Sequence, residues 1–340
     1  MVRAAIVSLG LLGGLPSAPA ARPTDLTVAA SGDLLIHSPV FARALANGGG
    51  RRYEFGPMLA SIRRWVAGAD LALCHVETPL VPGSPAGYPS FRTPPALAGA
   101  IRAAGWDACS TASNHSLDAG AHGVGTTLSA LDRAGVRHAG TARSRREDAR
   151  PPILTVKDVR VAFLAYTALT NGQPIPHSWT LAMARPGRIL ADARAARRRG
   201  ADAVIVNLHW GDEYRHEVTS AQRSLARRLT RSPAIDAIVG QHAHVVQPVR
   251  WVRGKPVVFG EGNLISNQTA ACCPAAAQDG LIAVIDFVAD ARGVRARRVR
   301  YLPTWVRHPD YRVLPAARRS VSWRRTVSVA GRRSGIGPLR

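Results

Sequence analysis

The chain has 340 residues, 46% of them hydrophobic and 20% charged, a composition that excludes a disordered or fibrous protein and suits one large α/β domain or two smaller ones. Its formal net charge is +23, carried almost wholly by arginine, with Lys157 and Lys255 the only lysines. Such an excess points to a polyanion or an anionic surface as partner.

The opening stretch, MVRAAIVSLGLLGGLPSAPA, carries Arg3, an apolar segment and a small-residue end at Ala18-Pro19-Ala20. It reads as a signal peptide over 1–20 cleaved before Ala21, with an uncleaved N-terminal anchor as the alternative. No later run approaches the ~20 apolar residues of a membrane span. The expectation is a secreted or cell-surface protein. Export and the lack of any nucleic-acid motif argue against nucleic acid as partner.

After the leader one pattern repeats: a short apolar run ends in a polar cluster, then a loop or helix follows. The runs are LTVAASGD, ADLALCHVE, WDACSTASNH, VAFLAYT, ADAVIVNLHWG, AIDAIVGQHAH and PVVFGEGN. Between them PALAGAIRAAG, GTTLSALDRAG and ILADARAARRRG read as helices closed by glycine, and TSAQRSLARRL opens with Thr219 and Gln222 at capping-box spacing. Apolar strands alternating with helices predict buried sheet in an α/β fold, with ligands beyond the carboxyl ends of the strands. The loops 81–95 and 170–179, rich in Pro, Gly and aromatics, either wall a cleft or merely connect. From about residue 315 to 340 the chain loses periodicity and gains arginine, which predicts a disordered basic tail. Cys74 and Cys109 read first as small buried hydrophobes. Export leaves a disulfide open if they lie face to face, whereas the adjacent Cys272 and Cys273 are poorly placed to close on each other.

The strand-end clusters carry the chemistry. They offer Asp33, Glu77, Asn114, His115, His209, His242 and His244. His242 and His244 share one side if the strand continues through them, although an H-x-H pair alone is as well read as a polar loop. Carboxylates, an amide oxygen and imidazoles form a mixed O/N set suited to Mn, Fe or Zn, and the absence of cysteine argues against a structural zinc site. With six or seven such residues a two-ion site becomes possible, able to clamp a phosphoryl group and generate hydroxide.

The motifs GDLLIH, VETPL, SNHSLDAG, HWGDEY, GQHAHVVQP and GEGNLI, in this order over residues 26–267, resemble the capsule-synthesis CapA family (the poly-γ-glutamate synthesis protein domain) of the calcineurin-like metallophosphatase superfamily. The resemblance implies a four-layer αββα sandwich over about 25–310 with two divalent metal ions at one edge. It implies one ion on Asp33, Glu77 and His244, with Glu77 bridging to a second on Asn114, His209 and His242. His115 matches the superfamily's general acid or oxyanion donor. Asp118 either orients it or caps a helix. His37, Trp210 and Glu213 are candidate substrate contacts. Three departures stand out: His75 replaces the asparagine of the usual N-x-E, Ser113 replaces the first of two asparagines, and His37 follows Asp33 by four residues instead of two. The functional expectation is an exported metal-dependent hydrolase of capsule or poly-γ-glutamate biosynthesis. It would act on a phosphoester, with a γ-glutamyl amide as second choice. The rival reading is a non-catalytic accessory protein that binds an anionic cell-surface polymer of poly-γ-glutamate or polyphosphate type.

Overall fold

The computed structural model describes residues 23–339, so the expected signal peptide lies outside the described residues. The strands, in chain order, are β1 (Thr24–Leu34), β2 (Leu71–Val76), β3 (Ala108–Ser110), β4 (Arg137–Ala139), β5 (Ile153–Val156), β6 (Val159–Thr167), β7 (Ala203–His209), β8 (Ala237–Gln241), β9 (Val249–Val252), β10 (Lys255–Val258), β11 (Asn263–Ile265), β12 (Asp279–Asp290), β13 (Gly293–Arg307), β14 (Arg312–Pro315) and β15 (Ile336–Pro338). They form two sheets. One runs β14-β13-β12-β1-β2-β3-β4, with β11 added to β1 and β15 to β13; the other runs β5-β6-β7-β8-β10-β9. β1 to β4 are mutually parallel, as are β6, β7, β8 and β10.

Side-chain alternation builds the layers. In β6, Val161, Phe163 and Ala165 enter the core between the sheets, while Ala162, Leu164 and Tyr166 meet the helices outside. In β1, Val28 and Ala30 face the inter-sheet core and Ala29 the opposite helical layer. Helices Pro186–Arg198 and Ser220–Thr230 cover the second sheet. Helix Ala96–Ala104 covers the first, and Gly105 closes it in the left-handed conformation that a side chain disfavours. The predicted capping box at Thr219 and Gln222 is formed, with both reciprocal hydrogen bonds present. The result is the expected four-layer αββα sandwich, the central strands of both sheets buried on both faces.

Two expectations need correction. Residues 315–340 are not a disordered tail across their described part. A helix spans Val321–Ala330, capped by the Ser320 side chain, and β15 pairs with β13. The Tyr301 hydroxyl donates to the Gly331 carbonyl, Ile336 is buried and Arg325 pairs with Asp279, so this arginine-rich stretch is pinned to the core. The domain therefore runs past 310. Cys74 and Cys109 are not free thiols but a disulfide, because they face each other directly in the β2–β3 register with Cα atoms 4.4 Å apart. Cys272 and Cys273 are free.

Candidate metal centre

The site gathers where parallel strands of both sheets end. Asp33 closes β1, Glu77 follows β2, Asn114 and His115 follow β3, His209 closes β7, and His242 and His244 follow β8. The β1 end is fixed from behind by close backbone approach. A Cβ on Gly32 would overlap the Gly262 carbonyl, and that same carbonyl accepts the Asp33 N–H at 3.0 Å. His242 and His244 hold left-handed backbone angles, φ 88° and 54°, that non-glycine residues adopt at a cost of about 1–3 kcal/mol each. They do not continue β8 as a strand. The turn still brings both rings inward, with centroids 6.0 Å apart.

All the expected ligands are buried. Asp33, Glu77 and His244 present ligand atoms within 4.8 Å of one another, and so do Asp33, His75 and His209, and Glu213, His242 and His244. The His244 Nδ1 lies 3.2 Å from an Asp33 oxygen and 3.1 Å from Asn263 Oδ1, and its Nε2 lies 3.7 Å from Glu77 Oε1. His209 Nε2 meets Asn114 Oδ1 at 2.8 Å.

The donor set fits a divalent cation. Both oxygens of Glu77, both ring nitrogens of His75, and Nδ1 of His209 and of His242 are buried without a hydrogen-bond partner. So many orphaned donors at one place carry a desolvation cost that a bound cation would offset. Burial drives the imidazoles toward their neutral, metal-binding form: His75 falls to about 4 and His242 to about 3, while His209 is pushed well below the usual range. Burial likewise raises Glu77. His244 rises to about 9 because, against burial, it faces Glu77 and Asp33.

Beside this cluster the His115 Nδ1–H donates to Asp118 Oδ2 at 2.9 Å. Asp118 also accepts the Phe91 N–H at 2.8 Å. It is not a helix cap: the next helix, Gly120–Ala134, starts after Ala119 with no side-chain cap, and the two residues meet across a turn. Phe91, from the loop 81–95, packs edge-on against both His115 and His37. Asn171, from the loop 170–179, places Oδ1 3.1 Å from Asn114 Nδ2 and Nδ2 3.5 Å from His115 Nε2. Both loops therefore wall the site.

The candidate substrate contacts divide. Glu213 is exposed and joins His242 and His244 at the rim. His37 is partly buried, its Nδ1 3.2 Å from the Leu35 carbonyl and 3.3 Å from the Asn267 amide, and it belongs to none of the ligand groups. Trp210 is turned away: it is buried in the second sheet's outer core, stacks on Phe259 and donates Nε1 to the Phe259 carbonyl at 2.9 Å, so no face is left for a substrate. Sequence reasoning missed His75 as a candidate ligand, and missed Asn171 and Asn263. The departure from N-x-E was the available signal for His75, and the motif GEGNLI for Asn263.

The family model for bacterial capsule synthesis protein PGA_cap matches residues 27–268. The chain belongs to that family. Every expected metal ligand of this PGA_cap domain falls within the matched span. A Mycobacterium tuberculosis protein named "Probable polyglutamine synthesis accessory protein" is 26% identical over 302 residues, covering 84% of this chain and 78% of that protein. The capsule biosynthesis protein CapA of Bacillus anthracis is 30% identical over 179 residues, covering 50% of this chain and 42% of that protein. Among solved structures, the NAD nucleotidase of Haemophilus influenzae superposes with a TM-score of 0.51 at 12% identity, covering 94% of this chain and 64% of that one. At that identity the likeness concerns the fold alone.

Proposed function

We propose that this PGA_cap protein is an exported metal-dependent hydrolase acting in capsule or poly-γ-glutamate biosynthesis, with a phosphoester as its first substrate class and a γ-glutamyl amide as its second. The observation that carries the reading is the His115–Asp118 pair standing beside a buried cluster of orphaned ligand atoms. Asp33, Glu77 and His244 would hold one divalent ion, and Asn114, His209 and His242 a second, with Glu77 between them. When bound, the ions would supply Lewis acidity for hydrolysis. His115 is the proton donor for the leaving oxygen, and Asp118 holds its ring by the opposite nitrogen. Phe91 and the Asn171 loop shield that ring from bulk water. Export is supported by the leader's sequence and by the Cys74–Cys109 disulfide, a bond that oxidising compartments preserve.

The purified protein, loaded with Mn²⁺, Fe²⁺ or Zn²⁺, should turn over at least one member of a panel of phosphoesters and poly-γ-glutamate. His115→Ala should abolish that turnover while retaining metal. The accessory reading draws on the printed name of the M. tuberculosis relative and on the net charge. Saturable polymer binding with no turnover under any metal would decide for it.

A further inference from the structure

Two thiols stand beside the rim of the metal centre. Cys272 is exposed and Cys273 partly exposed, in the loop between β11 and β12, and both are free, whereas Cys74 and Cys109 are buried and joined. The loop turns tightly at this point. The backbone N–H groups of Cys272 and Cys273 donate to the Thr269 carbonyl at 3.1 and 2.8 Å, and the Cys272 thiol donates to the same oxygen at 3.6 Å. The Cys273 thiol faces the Tyr214 hydroxyl at 3.8 Å. Burial and a hydrogen bond to Cys272 push the Cys273 thiol up to about 11, so it keeps its proton at neutral pH and leaves exposed Cys272 as the attacking sulfur.

A continuous chain of contacts runs from this pair to an expected metal ligand. The Tyr214 hydroxyl accepts from Gln268 Nε2 at 2.9 Å, Gln268 Oε1 accepts from Asn263 Nδ2 at 2.8 Å, and Asn263 Oδ1 lies 3.1 Å from His244 Nδ1. The Tyr214 ring also stands beside the His244 ring, centroids 6.0 Å apart, and its backbone N–H donates to the Ala243 carbonyl at 2.7 Å. Asn263 therefore holds the imidazole by the nitrogen opposite the one that faces Glu77, where an outer partner tunes a metal-binding histidine.

We propose that Cys272 is a modification site for low-molecular-weight disulfides, and that a thiol adduct there loosens the His244 side of the metal centre. The Cys272 thiolate attacks one sulfur of the small disulfide. A new S–S bond to Cys272 forms, the small molecule's own S–S bond breaks, and its other half leaves as a thiolate that regains from solvent the proton Cys272 released. Cys273 does not resolve the adduct by closing on Cys272: adjacent Cα atoms lie about 3.8 Å apart, short of the roughly 4.4–6.8 Å that a relaxed disulfide spans. The adduct removes the Cys272 S–H from the Thr269 carbonyl and crowds Cys273 against Tyr214, at the start of the contact chain. Oxidising surroundings that supply such disulfides belong to the export reading above, but the exchange itself needs neither export nor turnover.

The test incubates the full protein with cystine and reads intact mass without reductant. One half-cystine should add, map to Cys272 on peptide digestion and come off with mild reductant. It should be absent from Cys272→Ser and kept in Cys273→Ser. Mn²⁺ affinity of the adduct should fall about tenfold, the usual effect of disturbing an outer partner of a metal ligand, and cystine-treated Cys272→Ser should not change. In chelator, amide hydrogen exchange over residues 242–246 should rise in the adduct. No adduct on the folded protein, a Cys272–Cys273 bond formed with no mass gain, or a disulfide-linked dimer would overturn the modification site. An adduct that leaves exchange over 242–246 unchanged, or Mn²⁺ affinity unchanged in protein that binds Mn²⁺, would overturn its coupling to the centre. Absence of metal from both forms, with exchange still raised, would count against the metal-centre reading alone and support the coupling.

Discussion

His75 stands beside Asp33 across the β1–β2 register, its Nε2 3.7 Å from Oδ1, and neither of its ring nitrogens has a hydrogen-bond partner. A fully buried imidazole with both nitrogens idle is costly unless something binds it. His75 should therefore contribute to holding metal. His75→Ala should lower metal affinity about tenfold or more, as loss of a metal-site group commonly does. Titration with a fluorescent metal competitor measures this, and an unchanged affinity would reduce His75 to packing.

Asp118 should act through His115. Asp118→Asn keeps the size of the side chain but removes the charge that faces the His115 ring, and turnover should fall roughly a hundredfold with metal content unchanged. The alkaline limb of the pH profile, where the proton donor is lost, should shift as well, which a purely structural role would not produce.

The metal-free protein should lose stability on acidification. Buried His75 and His242 titrate at about 4 and about 3 when folded, against an ordinary 6.5 when unfolded. Between those values the unfolded chain takes up protons that the folded chain refuses, so stability falls as pH drops below about 6.5. His244 has the opposite sign. Raised to about 9, its contribution is complete below 6.5 and is lost as pH rises through 9. Thermal melts in chelator across pH 4–9 should show a midpoint that declines on both sides of neutrality.

Cys74 and Cys109 close a loop of sequence separation 35. Such a crosslink contributes about 3–4 kcal/mol by restricting the unfolded chain. Denatured but unreduced protein should yield two thiols, from Cys272 and Cys273, and four after reduction. Four thiols before reduction would refute the bond.

The legible part of the site was the part that interrupts a local pattern. Asp33, Glu77, Asn114 and His209 each end or follow an apolar run, and the apolar alternation that marks those strands also made the sandwich readable. His75 lies inside β2, where a histidine looks like one more residue of the strand. Phe91 and Asn171 reach the site from loops whose return path depends on tertiary packing. Ordering of the last segment depends on long-range partners: Tyr301 for Gly331, Asp279 for Arg325, Val299 for Ile336. None of these is visible from the local composition of an arginine-rich stretch. The cysteine pairing turned on register, which apolar runs do not reveal.

The most direct measurement is metal stoichiometry by elemental analysis after reconstitution, on the unaltered protein and on two variants. The account predicts up to two divalent transition ions per chain, with Glu77→Ala losing more metal than Asp33→Ala because Glu77 serves both ions. Protein that stays folded but takes up no metal under any reconstitution would contradict it.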